Sequence, residues 1–515
     1  MQLPVNLHKA VLAGTSRVPF DPASGVAPAL QPVAGQGLWH ALAAQDLWQR
    51  AGFQPATGID APTAAGADGA ACPRTAEDIL LLLMRGMHAN LLPTWLTLAQ
   101  AKGVSVPHAC LVPLLEQGMG KPGLRETLMP VLGERGRWLV AQNPQWSAKY
   151  VAGTDDAAAV DQAWNTGAPA QRAAALRAMR AADPAAALAS LQGGWAQEPA
   201  DLRAALLPCL EVGLSPADEP FLEAALDDKR KEVRGAAREL LAILPGSQLG
   251  ARCAARMEAL FTLQPQGAGQ LPVLEVALPE ACDKAMKRDG VGVENPYRMG
   301  EKQSWIFNMM QCVPPDHWAE RWRVTPAGVL QVMQANEFGR VLQEGLVHAI
   351  GLSARAGLEQ AADWFIAIHA SKVPNARALS ARFSDMAMAL PPSARERVLH
   401  AWLECGNGSG VPDALSLARQ MAGEGGAQVS QAVSRLLLDR LQQMMREKDA
   451  PGYGMKYEFE TMASLLDVSD MEYLEQGWPG PEWAHWDNWR QLVDELKEAL
   501  RFKNTLHRSF TDNKE

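Results

Sequence analysis

From residue 75 to about residue 245, apolar side chains recur every three or four positions, and short Gly- or Pro-marked breaks cut the pattern. Ile79, Leu82, Leu83 and Met87 open it, and the spacing predicts amphipathic helices joined by tight turns. Thr75, followed three residues on by Asp78, resembles a helix cap. The same period returns after Ser304. Leu436, Leu437, Leu441, Met444 and Met445 share one face, and Trp489, Leu492, Val493, Leu496 and Leu500 share another on a helix expected over 487–502. Residues 505–515 read as a frayed end. Ahead of Thr75 only two stretches look helical. One covers 7–12 and stops at Gly14; the other covers 38–51, with Leu38, Leu42, Leu47 and Trp48 on its apolar side. Residues 55–73 read as a Pro/Gly/Ala-rich linker. Helical spacing is weakest over 246–303. There "GQLPVLEVALPE" suggests an extended piece and "KRDGVGVENPYRMGEKQ" a long loop, which in a helical protein marks a functional surface or a joint.

One regularity is longer than a helix. "AQRAAALRAMR", "DLRAALLPCL" and "EVRGAARELL" place Arg172, Arg203 and Arg234 in two equal steps, and Leu176, Leu206–Leu207 and Leu240–Leu241 keep nearly the same phase. Other helical segments lie between the copies, one with Leu188, Leu191 and Trp195 and the next with Phe221, Leu222 and Leu226. This 31-residue period, the length of one helix pair, predicts stacked hairpins, each burying its apolar face on its neighbours. Each arginine, near the start of its helix, is expected to reach a neighbouring turn or carboxylate. The predicted fold is therefore all-α, a HEAT-like α-solenoid with helical N- and C-terminal extensions. The expected divisions are 1–74 (helices and linker), 75–250 (repeats), 251–303 (irregular connection), 304–448 (second helical region) and 449–515 (C-terminal helical segment).

Composition narrows the function. Hydrophobic residues are 48% and charged residues 20% of the 515, ordinary globular material. Trp (16) outnumbers Tyr (5), which suits helix-packing anchors better than a β-sandwich. The formal net charge of −9 argues against a phosphate backbone or an anionic membrane surface as the main partner. The seven cysteines are scattered, and even the closest in sequence, Cys253 and Cys282, are far too widely spaced for a CxxC pair. A disulfide framework or zinc knuckle is therefore not expected and a reducing compartment is. The first residues lack a signal-peptide pattern and the apolar run at 79–84 is too short to span a bilayer. The expected location is cytoplasmic.

Familiar chemistry fails on its spacing. "GMGKPG" at 118–123 has Leu115 where a phosphate loop needs its first Gly and Pro122 where it needs Ser or Thr; it reads as a turn between helices. "DGVGVEN" lacks the third Gly of a dinucleotide loop. There is no HExxH and no GxSxG. His485 and Asp487, beside Trp483, Trp486 and Trp489, read as a cap and an aromatic cluster. No catalytic residue, metal site or cofactor is expected. Two segments have the composition of an interface: 132–146, with Arg135, Arg137, Trp138 and Trp146, and 288–305, with Tyr297 and Arg298. Arg and Trp dominate interface energetics, although Trp at a helix junction also serves as a core plug.

"AVLAGTSR", "LMPVLGERGRWLVAQNPQW" and "RDGVGVENPYRMGEKQSW … VPPDHW", in that order, resemble an uncharacterised bacterial domain-of-unknown-function family of HEAT-like repeat proteins. Members are encoded near a MoxR-type AAA ATPase, a von Willebrand A-domain protein and a SWIM zinc-finger protein. The resemblance implies a helical-repeat accessory to an ATPase-driven remodelling or metal-insertion system. The expected function is a non-enzymatic scaffold that binds a protein partner, such as that ATPase or the von Willebrand A-domain protein. The alternatives are a nucleic-acid-associated HEAT-like protein and a hydrolase whose site is assembled from distant residues.

Overall fold

In the computed structural model, the described residues are 5–21, 30, 33, 36–51, 66, 70–151, 157–267, 269–292, 299–370, 383–405, 411–423, 427–446, 459 and 462–511. They form two units, 1–65 and 66–515.

The first unit carries the two helices expected there, α1 (Val5–Ala13) and α2 (Leu38–Ala51). Gly14 ends α1 at φ +79°, a left-handed stop that suits Gly. Leu7 and Ala41 are fully buried in a small cluster with Phe20, Leu38 and Leu42 against them. Leu47 and Trp48 are exposed; the face of α2 buried with α1 runs instead through Ala41 and Gln45.

Among the described residues, the second unit is all-α apart from one hairpin and an isolated bridge between Ala70 and Val104. Its first block contains α3 (Arg74–Met84), α4 (Leu92–Ala101), α5 (His108–Met119), α6 (Pro122–Leu128) and α7 (Gly133–Gln142). Trp95 anchors it, fully buried, with its Nε1 donating to Ala76 O at 2.8 Å. The cap expected at Thr75 is not one. Pro73 is the N-cap of α3, and Thr75 Oγ1 donates to Ser509 O, 434 residues away. The GMGKPG segment is the turn between α5 and α6. Gly118 stands where a Cβ would come 2.0 Å from Tyr150 Oη, and that hydroxyl donates to Leu115 O at 2.6 Å.

A longer succession follows: α8 (Ala157–Thr166), α9 (Pro169–Ala182), α10 (Pro184–Gly194), α11 (Ala200–Leu206), α12 (Glu219–Ala225), α13 (Lys231–Ile243) and α14 (Gln248–Leu260). α8 packs on α9, α9 on α10, α12 on α13 and α13 on α14, and α9, α11 and α13 pack on one another in turn. Leu176, Leu206, Leu207 and Leu241 are fully buried and Leu240 is nearly so, as the 31-residue phase requires. Arg180 and Asp218 are each 1% exposed and pair at 2.8 Å.

Residues 246–303 hold more helix than their spacing suggests. α14 begins at Ser247, whose Oγ accepts from Gly250 N at 3.1 Å. Its buried face is Leu249, Cys253, Ala254 and Met257, small and sulfur side chains that give a weak hydrophobic signal. The extended piece is real. β1 (Phe261–Gln264) pairs antiparallel with β2 (Val273–Val276), Phe261 opposite Val276. Phe261 lies 5.2 Å from the Trp318 ring. α15 (Lys284–Arg288) takes in the first two residues of the expected loop, and the following helix takes in its last three.

The helices that follow include α16 (Glu301–Met310), α17 (Pro315–Trp322), α18 (Pro326–Gln334), α19 (Gly339–Arg355), α20 (Ala361–Ala370), α21 (Pro392–Glu404), α22 (Val411–Gly423), α23 (Gln431–Arg446), α24 (Met471–Glu475) and α25 (Trp486–Ser509). Most neighbours in sequence pack together again, α21 packs on both α22 and α23, and α19 also reaches back to α13. Of the end expected to fray from residue 505, residues 505–509 are instead the last turn of α25, and 512–515 lie outside the described residues. Leu506 is fully buried, and the Phe510 ring lies 5.4 Å from Trp95. α25 thus enters two hydrophobic cores. Val493, Leu496 and Leu500 belong to the core that starts at Ala173, while Leu506 and Phe510 belong to the core of α3–α7.

Candidate functional site

The three periodic arginines form an internal ladder. Arg172 Nη1 donates to Glu198 Oε2 at 2.9 Å. Arg203 donates backward to Glu198 O at 3.0 Å and pairs forward with Asp228 at 3.0 Å. Arg234 Nη1 donates to Asp228 O at 2.7 Å and to Lys229 O at 3.0 Å. Arg172 also lies over Trp164, and Arg203 over Trp195, at 4.8 and 5.7 Å from the ring centroids. Those tryptophans repeat the step of the arginines. Arg172 and Arg203 therefore each tie an inter-helix turn to an aromatic face, a geometry that Lys lacks.

The ladder leads to a denser cluster around Asp289, which is 1% exposed. Arg252 Nη2 and Arg256 Nη1 both reach its carboxylate at 2.7 Å. Burial alone would raise the Asp289 carboxyl, but the hydrogen bonds from Arg252 and Arg256 outweigh it and hold it below the ordinary carboxylate range. The neighbouring Arg288 grips Asp227 Oδ1 at 2.8 Å and Glu223 Oε2 at 3.0 Å, at the end of α12. Arg238 of α13 donates to Asp289 O at 3.1 Å, to Asn308 O at 2.7 Å and to Cys312 Sγ at 3.3 Å. Gly290, at φ +79°, makes this possible, because a Cβ there would fall 2.4 Å from Arg238 Cδ. The Arg-Asp-Gly of the sequence motif is thus a clamp across α12, α13, α14 and α16.

Beside the clamp, spaces open around the turn that follows α13. One of about 320 Å³ is lined by Pro245, Gln311, Cys312, Asp316, His317 and Glu320. A second of about 180 Å³ shares Cys312, Pro314 and His317 with it. A third of about 240 Å³ lies beside Arg355 and Glu211, which pair at 2.8 Å. His317 Nε2 meets Glu258 Oε1 at 2.8 Å, and Trp364 Nε1 donates to Asp316 Oδ1 at 2.6 Å. The groove is polar and carries both signs of charge, a lining that suits a polar peptide segment better than an apolar ligand.

The interface candidates lie elsewhere. Arg135 and Arg137 are exposed on α7. Arg135 Nη1 faces His108 Nδ1 at 3.3 Å, and Arg137 pairs with Glu134 at 2.7 Å. Trp138 is half-buried. Trp146 is 7% exposed and donates from Nε1 to Glu116 at 3.1 Å. The Asn-Pro before it is an N-cap, since Asn143 Oδ1 accepts from Gln145 N and Trp146 N. Gly136 lets α7 approach Leu111, whose Cδ2 a Cβ would meet at 3.1 Å. The GERGRWL…NP.W pattern is therefore written largely by packing. Tyr297 and Arg298 lie outside the described residues. His485 caps α25 without a side-chain bond, and its ring lies 5.5 Å from Trp483.

Sequence reading missed the Asp289 clamp. The four-residue step from Arg252 to Arg256 puts both on one helix face and was the available signal.

Among the described residues, no three His, Cys, Asp or Glu side chains are placed to hold a metal ion, and no helix is long and apolar enough to cross a membrane. Fold and site together define an all-α protein of sequentially packed helices cross-linked by arginine. The model of a family of unknown function, DUF5691, matches residues 6–510, and the chain belongs to that family. No curated protein and no solved structure matches it.

Proposed function

We propose that the protein is a non-enzymatic helical-repeat scaffold, a HEAT-like α-solenoid that binds a protein partner as an accessory to a MoxR-type AAA ATPase and von Willebrand A-domain remodelling system. The observation that carries this reading is the 31-residue arginine ladder. Arg172, Arg203 and Arg234 each reach an inter-helix turn from the same place on their helices, which is how a stacked array presents one continuous surface. The polar groove beside Cys312 and His317, and the exposed Arg135 and Arg137, are where a partner segment would dock. The nucleic-acid alternative needs arginines aimed at solvent, whereas Arg172, Arg203, Arg252, Arg256 and Arg288 are engaged with carboxylates of the same chain.

The test is a pull-down of the tagged chain from its own cells, with and without ATP, followed by titration of the purified ATPase and von Willebrand A-domain protein. Binding in the low-micromolar range or tighter is the expected result. No binding up to high micromolar concentration removes the proposal. Capture of nucleic acid instead, with affinity falling steeply as salt rises, replaces it.

A further inference from the structure

The groove beside the clamp is short of cations. Its spaces of about 320 and 240 Å³ share Ile243 and Pro245, so they adjoin, and the 180 Å³ space meets the first at His317. Among the described residues that line the three, Arg355 is the one Arg or Lys. That guanidinium is already engaged by two carboxylates. Its Nη2 donates to Glu211 Oε2 at 2.8 Å and its Nη1 to Glu239 Oε1 at 2.5 Å.

Asp316 and Glu320 line the 320 Å³ space from α17. They stand four residues apart on one helix face, where like charges repel. Asp316 has local compensation. It lies in the first turn of α17, where the helix dipole favours an acid, and its Oδ1 accepts from Trp364 Nε1 at 2.6 Å. Glu320 has none. It is exposed in the last turn, where the dipole disfavours an acid. The cations beside it on α17, His317 and Arg321, both turn to Glu258, at 2.8 and 3.5 Å. Pro245, Pro314 and Leu358 line the same space. They offer apolar surface for the methylene stem of a long cationic side chain, whose head then reaches the carboxylates.

We propose that the groove takes a segment of a protein partner that carries an arginine or lysine, with the cationic head between Asp316 and Glu320 and its stem along Pro245, Pro314 and Leu358. This rests on the reading of the groove as a docking place for a partner segment, and adds the sign of charge that the segment carries. Arginine fits better than lysine, because its planar fork addresses two carboxylates at once. An acidic segment or a phosphate backbone would meet Glu320 with like charge.

The probe is a capped octapeptide of Gly, Ser and Ala with two central arginines, titrated into the full chain by calorimetry beside the same peptide with two glutamines or two glutamates. Saturable binding of the arginine peptide below about 1 mM is expected, weakening as salt rises from roughly 50 to 300 mM. The glutamine peptide should bind about tenfold more weakly or worse, and the glutamate peptide not at all. Glu320→Gln should weaken the arginine peptide about three- to tenfold, and Asp316→Asn, which keeps an acceptor for Trp364, by a similar factor. Glu232→Gln, at the far end of α13, removes the same charge and should change nothing. Glu320→Arg should turn the preference toward the glutamate peptide. No binding of the arginine peptide, equal affinity for the arginine and glutamine peptides, or an arginine peptide indifferent to Glu320→Gln overturns the proposal. The two readings fail separately. If the ATPase or the von Willebrand A-domain protein binds with an affinity that Glu320→Gln and salt leave unchanged, the scaffold reading stands and this one falls. If neither protein binds while the arginine peptide binds through Glu320, the groove keeps its ligand class and the accessory role falls.

Discussion

Asp218→Ala tests the energetics of the buried arginine, together with the hydrogen bond that Asp218 Oδ2 accepts from Ser215 N at 2.9 Å. Arg180 is 1% exposed and directs all of its polar atoms inward. Nε donates to Val212 O at 2.8 Å, Nη1 to Pro184 O at 2.9 Å, and Nη2 to Leu210 O at 3.1 Å and to Gly213 O at 2.9 Å. Asp218 supplies the only formal negative charge in this set, through both oxygens at 2.8 and 2.9 Å. Removing it leaves a guanidinium out of water with neutral acceptors alone. Breaking a buried pair from one side costs about 3–5 kcal/mol. If the α9–α14 region unfolds as part of a unit of about 150–250 residues, each kcal/mol lowers Tm by about 2–4 °C, so a fall of roughly 6–20 °C is expected. Arg180→Met in the same background should not restore stability, since it orphans four carbonyl oxygens at about 1–3 kcal/mol each. The assay is thermal unfolding by circular dichroism, with hydrogen exchange at residues 210–218 as the local readout. A Tm within about 2 °C of wild type, with unchanged exchange at Val212 and Gly213, would refute the reasoning, because surface changes stay within about 0.5 kcal/mol.

Three further outcomes are expected. Leu241→Asp buries a carboxylate at a fully inaccessible position and should cost several kcal/mol; an unchanged Tm would mean that the 31-residue phase is misassigned. Gly118→Ala should destabilise the first block by displacing the Tyr150 hydroxyl from 2.0 Å, and Tyr150→Phe in that background should recover part of the loss, so no recovery in a paired melting experiment contradicts the geometry. Lys503 of α25, fully buried with Nζ donating to Ser464 O and Leu466 O, is brought down to about 7 by burial, which outweighs the Asp467 charge. The unfolded chain then binds a proton that the folded one lacks between about pH 7 and its ordinary value of about 10.4. Wild type should therefore gain stability relative to Lys503→Met as pH rises through that window, with no relative change below it; a flat difference in denaturant midpoints from pH 7 to 10 contradicts this.

How much can be read from the chain depends on how local each feature is. Arg172, Arg203 and Arg234, with the leucines that follow them, share a period that one hairpin imposes on the next, so they are legible in the sequence alone. The bounds of α2 come from composition contrast with the Pro/Gly/Ala stretches around it. α14 is hidden because Cys253, Ala254 and Met257 carry little hydrophobic contrast. The Asp289 clamp is hidden because its arginines come from three helices. The last turn of α25 looks frayed in sequence because what orders it, Trp95 and Thr75, lies near the opposite end of the chain. The segment 132–146 is legible as a special composition, and the structure gives most of it a packing reason through Gly136, Asn143 and Trp146.

The helix that enters both cores also sets an order of events during synthesis. The face of Trp95 that Phe510 covers leaves the ribosome long before its partner does. Thr75 and Ser509 are 434 residues apart, and at about 5–20 residues per second the wait is on the order of 20–90 s. Throughout it, the first block has an uncovered apolar seam. A ribosome that stalls before residue 500 therefore releases a product in which the core of α3–α7 lacks Leu506 and Phe510 and keeps one face of Trp95 uncovered.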